Sequence, residues 1–140
     1  MNEHAFGYLE HTADKGVIGY GDTLEAALEN TAYGMFSLMA ELPRYTATEE
    51  RPVEVSGGDD ISVLKAWLEE LVFIFEVDRF LPVEFHVVEL TNGKLRGRIR
   101  GRPFGPDIEW LGPQVKAVTY HEMKVEKIDD RYRVQAIVDV

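Results

Sequence analysis

The chain has 140 residues, a net charge of -10 and no cysteine. Disulfides and thiolate metal sites are therefore excluded, and any bound metal must rest on oxygen and imidazole ligands. With 45% hydrophobic and 29% charged residues, the composition is that of a globular protein. The length fits one domain spanning residues 1–140, which at this size hides roughly 70% of its unfolded surface. No apolar run is long enough to cross a membrane. No basic-then-apolar leader opens the chain, so the expected location is the cytoplasm. A surface this acidic repels phosphate backbones, and stable nucleic-acid binding by the chain alone is not expected. It suits a soluble protein or one that docks on a basic partner. Only three Asn and two Gln occur, a composition that leans towards a thermophilic source.

Residues 5–9 and 16–20 read as short strands joined by the polar stretch Glu10 to Lys15. Asp22 is the expected cap of a first helix, with Glu25 as the reciprocal partner of a capping box. Leu24, Leu28, Ala32, Met35, Phe36 and Met39 recur at helical spacing. Pro52 to Val55 forms an alternating strand, broken by Gly57-Gly58. Asp59 or Asp60 caps a second helix, whose apolar face runs from Ile61 to Phe75 and is widened by Phe73 and Ile74. Residues 83–91 lead into Asn92-Gly93, a strong hairpin signal because both residues tolerate positive φ. On the return strand Leu95, Gly97, Ile99 and Gly101 share one side, and Arg96, Arg98, Arg100 and Arg102 the other. A loop follows with Trp110 as its anchor. Residues 116–127 and 131–140 make a last hairpin, turning at Asp129-Asp130. The order is two strands, helix, strand, helix, four strands. The expected fold is α+β, a two-layer domain with a mainly antiparallel sheet and two helices on one face.

Few residues bear chemistry. Asp14, His11 and Glu10 lie within five positions and can converge on an ion if the connection is tight. The competing reading is an Asp that bonds its own turn. Asp139 lies in the apolar run Val134 to Val140. There it either needs a cation or water as partner or is solvated at a frayed chain end. Lys116 flanks a strand and is either solvated or a bridge to the carboxylates. The arginine side of residues 96–102 has the look of a nucleic-acid ribbon. Glu89 nearby and the overall charge favour a solvent face instead. No nucleophile is paired with a base, and Gly57-Gly58-Asp59-Asp60 lacks the Lys-Ser/Thr of a phosphate loop.

Three segments together resemble the archease family. They are Glu10-His11-Thr12-Ala13-Asp14 followed by Gly21-Asp22-Thr23-Leu24-Glu25-Ala26-Ala27, then Val115-Lys116-Ala117-Val118-Thr119-Tyr120-His121, then Ile137-Val138-Asp139-Val140. The helix opening at Gly58-Asp59-Asp60 fits as well, and the likeness spans nearly the whole chain. It implies a non-enzymatic cofactor protein for the RtcB-type RNA ligase of tRNA splicing, promoting guanylylation and multiple turnover of that ligase. It further implies a metal site at Asp14 and Asp139 with His11 adjacent, and activating roles for Glu10, Asp22 and Lys116. Glu10 stands where some members carry Asp, one methylene shorter. Oxygen ligation suits Ca, Mg or Mn better than Zn. Two other functions compete: a general chaperone or modulator of RNA-modifying enzymes that uses no metal, and a small metal-dependent hydrolase.

Overall fold

The computed structural model describes residues 5–10 and 14–140, with Glu10 as backbone only. The element order is β1 (Phe6–Glu10), β2 (Asp14–Gly21), α1 (Leu24–Ser37), a short 3-10 turn (Leu42–Arg44), β3 (Glu49–Ser56), α2 (Asp60–Val77), β4 (Phe80–Thr91), β5 (Lys94–Pro103), β6 (Ala117–Ile128) and β7 (Arg131–Asp139). The strands form two antiparallel sheets, β1-β2-β7-β6 and β3-β5-β4. The α+β class holds, but the strands divide between two sheets instead of sharing one. Each helix packs against strands of both sheets. None of the helices described is long and apolar enough to cross a membrane.

The local chemistry accounts for most boundaries. Asp59 caps α2 by accepting the Ser62 N–H at 2.8 Å. The cap of α1 is Thr23, whose hydroxyl accepts the Ala26 N–H at 3.1 Å. Asp22, expected in that place, is instead exposed one residue earlier and faces Arg131 at 3.7 Å. Asp and Thr are both favoured caps, with Asp slightly ahead, so adjacent Asp and Thr left the choice to the entry path of the chain. Helix α2 stops at Val77 because Arg79 turns left-handed at φ 51°. Phe73 points to solvent at 57% exposed, whereas Ile74 is buried.

One apolar cluster joins both helices to both sheets, centred on Trp67, Leu28, Phe36, Phe75, Leu68 and Phe80. The Trp67 indole N–H donates to the Leu28 carbonyl at 3.0 Å and locks α2 to α1. A relay of rings runs from Tyr8 and Phe6 through Tyr33, Phe85 and Phe36 to Phe75, Phe104 and Trp110. Glycine permits the closest approach of strand to helix: a Cβ at Gly19 would collide with Thr31 and the Ala27 carbonyl of α1. On β4, an irregular stretch between Val87 and Glu89 frees the Val87 N–H, and Glu29 of α1 accepts it at 2.8 Å.

Two predictions follow from local features. The hairpin tip at Asp129 and Asp130 holds both residues at positive φ, 49° and 65°, where Asn and Gly are less strained. Asp129→Asn with Asp130→Gly is therefore expected to stabilise the chain by about 1 kcal/mol, read as a higher denaturant midpoint at unchanged slope. Tyr8 donates to the Gly34 carbonyl at 3.1 Å; burial and then the neighbouring Tyr33 push its phenol up to about 12. A raised folded-state value means the contribution is complete below the ordinary value near 10 and is lost as pH climbs towards 12. Alkaline titration should thus show stability falling across that window, with a smaller fall in Tyr8→Phe.

Candidate functional site

Strands β2 and β7 run antiparallel at the centre of the four-stranded sheet, and their register sets Asp14 directly opposite Asp139. Facing positions across such a pair place their Cβ atoms about 4.5–5.5 Å apart on the same side of the sheet. The next strand continues the row, with Ala117 of β6 opposite Asp139. The Lys116 N–H donates to the Asp139 carbonyl at 2.7 Å, which fixes Lys116 beside the two acids. Asp14 is half-buried, whereas Asp139 and Lys116 are exposed.

Side-chain alternation assigns the faces. Val17, Gly19, Val134, Ala136 and Val138 turn towards the helices, the apolar ones of them within the main core. Asp14, Ile18, Gln135, Ile137 and Asp139 therefore occupy the other face. That face is not fully wet: Ile18, Ile137 and Gln135 are buried. Leu9 of β1 covers Gly16, where a Cβ would sit 2.6 Å from the Leu9 Cβ. The two carboxylates thus stand at the end of a short apolar strip. Like charges directly opposite each other destabilise a strand pair.

The residues singled out from sequence do not all meet. Asp14 lies in the strand itself, not in the connection before it. Glu10 ends β1 opposite Lys15, one row from Asp14. His11 lies outside the described residues. Asp22 follows the far end of β2, about 26 Å from Asp14 at roughly 3.3 Å per residue. It joins Arg131 there and is not part of the acid pair. Among the described residues no group of three or more His, Asp or Glu side chains is close enough to enclose a metal ion. The pair alone supplies hard oxygen donors of the kind Ca, Mg or Mn takes.

The structure adds a feature that periodicity concealed. Between Thr119 and Lys124 the β6 register shifts, and Tyr120 to Met123 stand against Ala136 alone. Glu122 adopts φ 51°. The Thr119 hydroxyl donates to Ile137 and accepts the His121 N–H, both at 3.3 Å; the Gln135 amide donates to the Glu122 carbonyl at 2.8 Å. The bulge carries His121 and Glu122, whose side chains approach to 3.0 Å, four and five residues along β6 from Ala117 in the acid row. Its only trace in the sequence is a break in the alternation of residues 117–128.

The arginine side of β5 is a lattice of ion pairs. Arg96 meets Glu89 at 3.1 Å, Arg98 meets Glu50 at 3.8 Å, and Arg100 meets Glu84 at 4.0 Å. Arg102 binds Asp107 through both terminal nitrogens, which raises the arginine and holds the carboxylate below its usual range. Cations so compensated leave little free positive potential for a phosphate backbone. In a filter or gel-shift assay at moderate salt, Arg98→Ala should leave the chain's affinity for RNA as negligible as before.

A two-sheet α+β fold in which an early and a late aspartate face each other across one strand pair defines a small acidic α+β protein. The comparisons agree over almost the full length. Residues 6–140 match the model of the Archease protein family (MTH1598/TM1083). The protein archease of Methanopyrus kandleri is 41% identical over 135 residues, 94% of this chain and 96% of the relative. That of Pyrococcus furiosus is 38% identical over 137 residues, 95% and 96% of the two chains. The solution structure of Methanobacterium thermoautotrophicum protein 1598 superposes with a TM-score of 0.85 at 33% identity, covering 99% of this chain and all of that one. A Thermotoga maritima crystal structure, described as an archease and possible chaperone, shares the fold with a TM-score of 0.64 at 20% identity, covering 99% and all of the two chains. The chain belongs to the archease family.

Proposed function

We propose that this protein is a non-enzymatic activator of an RtcB-type tRNA-splicing RNA ligase, working through a divalent cation held by Asp14 and Asp139. The observation that carries the reading is the β2–β7 register, which opposes one carboxylate from each end of the chain. Two acids so placed repel in the absence of a cation, and their oxygen donors fit Ca, Mg or Mn. His11 is the further donor in this reading, and Glu10 supports it from the next row. When bound, such an ion supplies charge neutralisation and polarisation of a phosphoryl oxygen.

The chain's own residues have simpler tasks. Asp14 and Asp139 present their carboxylates on the same side of the sheet because neighbouring strands hold both backbones in register. Lys116, tethered through its N–H to Asp139, offers a cation beside them for a phosphate or a partner carboxylate. Asp22, on a remote part of the surface, takes part in activation by contact with the ligase at a second point and not by ion binding. The docked pair would then favour transfer of the guanylyl group to the ligase histidine.

The competing reading is a general chaperone or modulator that acts without metal; the Thermotoga maritima relative is described as a possible chaperone. Turnover separates the two. With limiting ligase, GTP and metal, the unchanged chain should convert single into multiple turnovers. Asp139→Ala should abolish that gain while its melting profile stays cooperative. Full stimulation by Asp139→Ala would contradict the metal-site reading and favour the chaperone. Phosphoester turnover by the purified chain alone would instead point to a hydrolase.

A further inference from the structure

The segment after β5 has no regular structure among residues 104–116, yet it is tied down at successive points. Trp110 packs edge-on against Phe75 and Phe104, with centroids 5.7 and 5.1 Å away. The Leu111 N–H donates to the Met39 carbonyl at 2.8 Å, and the Val115 N–H reaches the Met39 sulfur at 3.4 Å. Val115 is fully buried. One residue later Lys116 bonds Asp139. In the middle of this fixed path the Leu111 side chain stands out, 61% exposed, with Trp110 at 36% beside it. Irregular chain held this firmly has little freedom to fold its leucine inwards. The apolar surface is thus presented to the outside at a set distance from the acid pair.

We propose that Leu111, with the exposed edge of Trp110, is the apolar anchor by which this protein docks on its partner. The partner surface is an apolar recess rimmed by cationic side chains. Charge complementarity argues for that occupant: the segment that carries the knob ends at Lys116, whose N–H bonds Asp139 opposite Asp14, on a chain of net charge -10, so a cationic rim is drawn to the same segment. A second copy of the chain, equally acidic, would be repelled there. A few residues at the desolvated centre of such contacts carry most of the energy, tryptophan prominent among them. Docking through Leu111 would bring the acid pair to the partner in one orientation. The partner's identity rests on the activator reading above.

The test is direct binding of the full chain to purified RtcB-type ligase, by sedimentation or surface immobilisation, run beside the turnover assay. Leu111→Asp should raise the Kd by about tenfold or more, with the melting profile unchanged. At saturating concentrations its maximal stimulation should match that of the unchanged chain. Ile128, an exposed apolar residue (50%) beside the β6–β7 turn at the other end of the sheet, provides the control. Ile128→Asp adds the same charge and should leave the Kd unaltered. Equal Kd values for Leu111→Asp and the unchanged chain would overturn the anchor, as would equal weakening by both variants. Binding without stimulation would overturn the activator reading alone. Absence of binding by the unchanged chain would overturn both.

Discussion

The pairing of β2 with β7 is the constraint on which the remaining structure depends. These strands come from opposite ends of the chain and lie side by side at the middle of the four-stranded sheet. Their register is set by packing and not by the acids. Val17 against Ala136 and Gly19 against Val134 form the face that meets α1, and Gly19 admits the helix only because it has no Cβ. A slip of one residue would turn every side chain of β7 to the opposite face, sending Asp139 and Gln135 towards the helices. The core thus enforces an arrangement of like-charged carboxylates that is unfavourable by itself, a local conflict of the kind the proposed cation site would account for.

The same trade explains the surface. Elsewhere, several negative charges are matched locally: Glu50, Glu84 and Glu89 offset the β5 arginines, and Glu109 meets Arg44 at 2.9 Å. Exposed pairs of this kind add little stability, but they remove the positive stripe that the sequence displays. Asp14 and Asp139 are opposed by like charge instead of being matched across the strands. Their neighbourhood is also apolar, through Ile18, Ile137 and Leu9. In the proposed reading a cation resolves both conditions, and the exposed Leu111 gives the partner an apolar point of contact.

Much of this was legible in the residues. Turn chemistry located both late hairpins, since Asn92-Gly93 and Asp129-Asp130 all adopt positive φ. Strict alternation separated buried Leu95, Gly97 and Ile99 from the arginines. The idea that Asp14 and Asp139 sit on neighbouring strands followed from strand order and from the family resemblance. What escaped was decided by tertiary contacts. Division into two sheets depends on how α1 and α2 wedge between strands, which no local pattern encodes. Thr23 replaced Asp22 as cap because adjacent residues competed with nearly equal propensity. Phe73 fits the apolar count of α2 yet faces solvent, since a helix stripe has edges that periodicity alone does not mark. The β6 bulge is stabilised by Thr119 and Gln135, residues 16 positions apart that become neighbours only in the folded sheet.

The central claim is that Asp14 and Asp139 act on one cation as a unit. The most direct test is a double-mutant cycle on cation binding to the isolated protein. It uses calorimetry or Mn resonance spectroscopy with the unchanged chain, Asp14→Asn, Asp139→Asn and the double variant. One ion should bind the unchanged chain, and either single change should remove most of the affinity. The double variant should lose little more than the singles do. Additive losses, or an ion retained when both carboxylates are gone, would contradict the account.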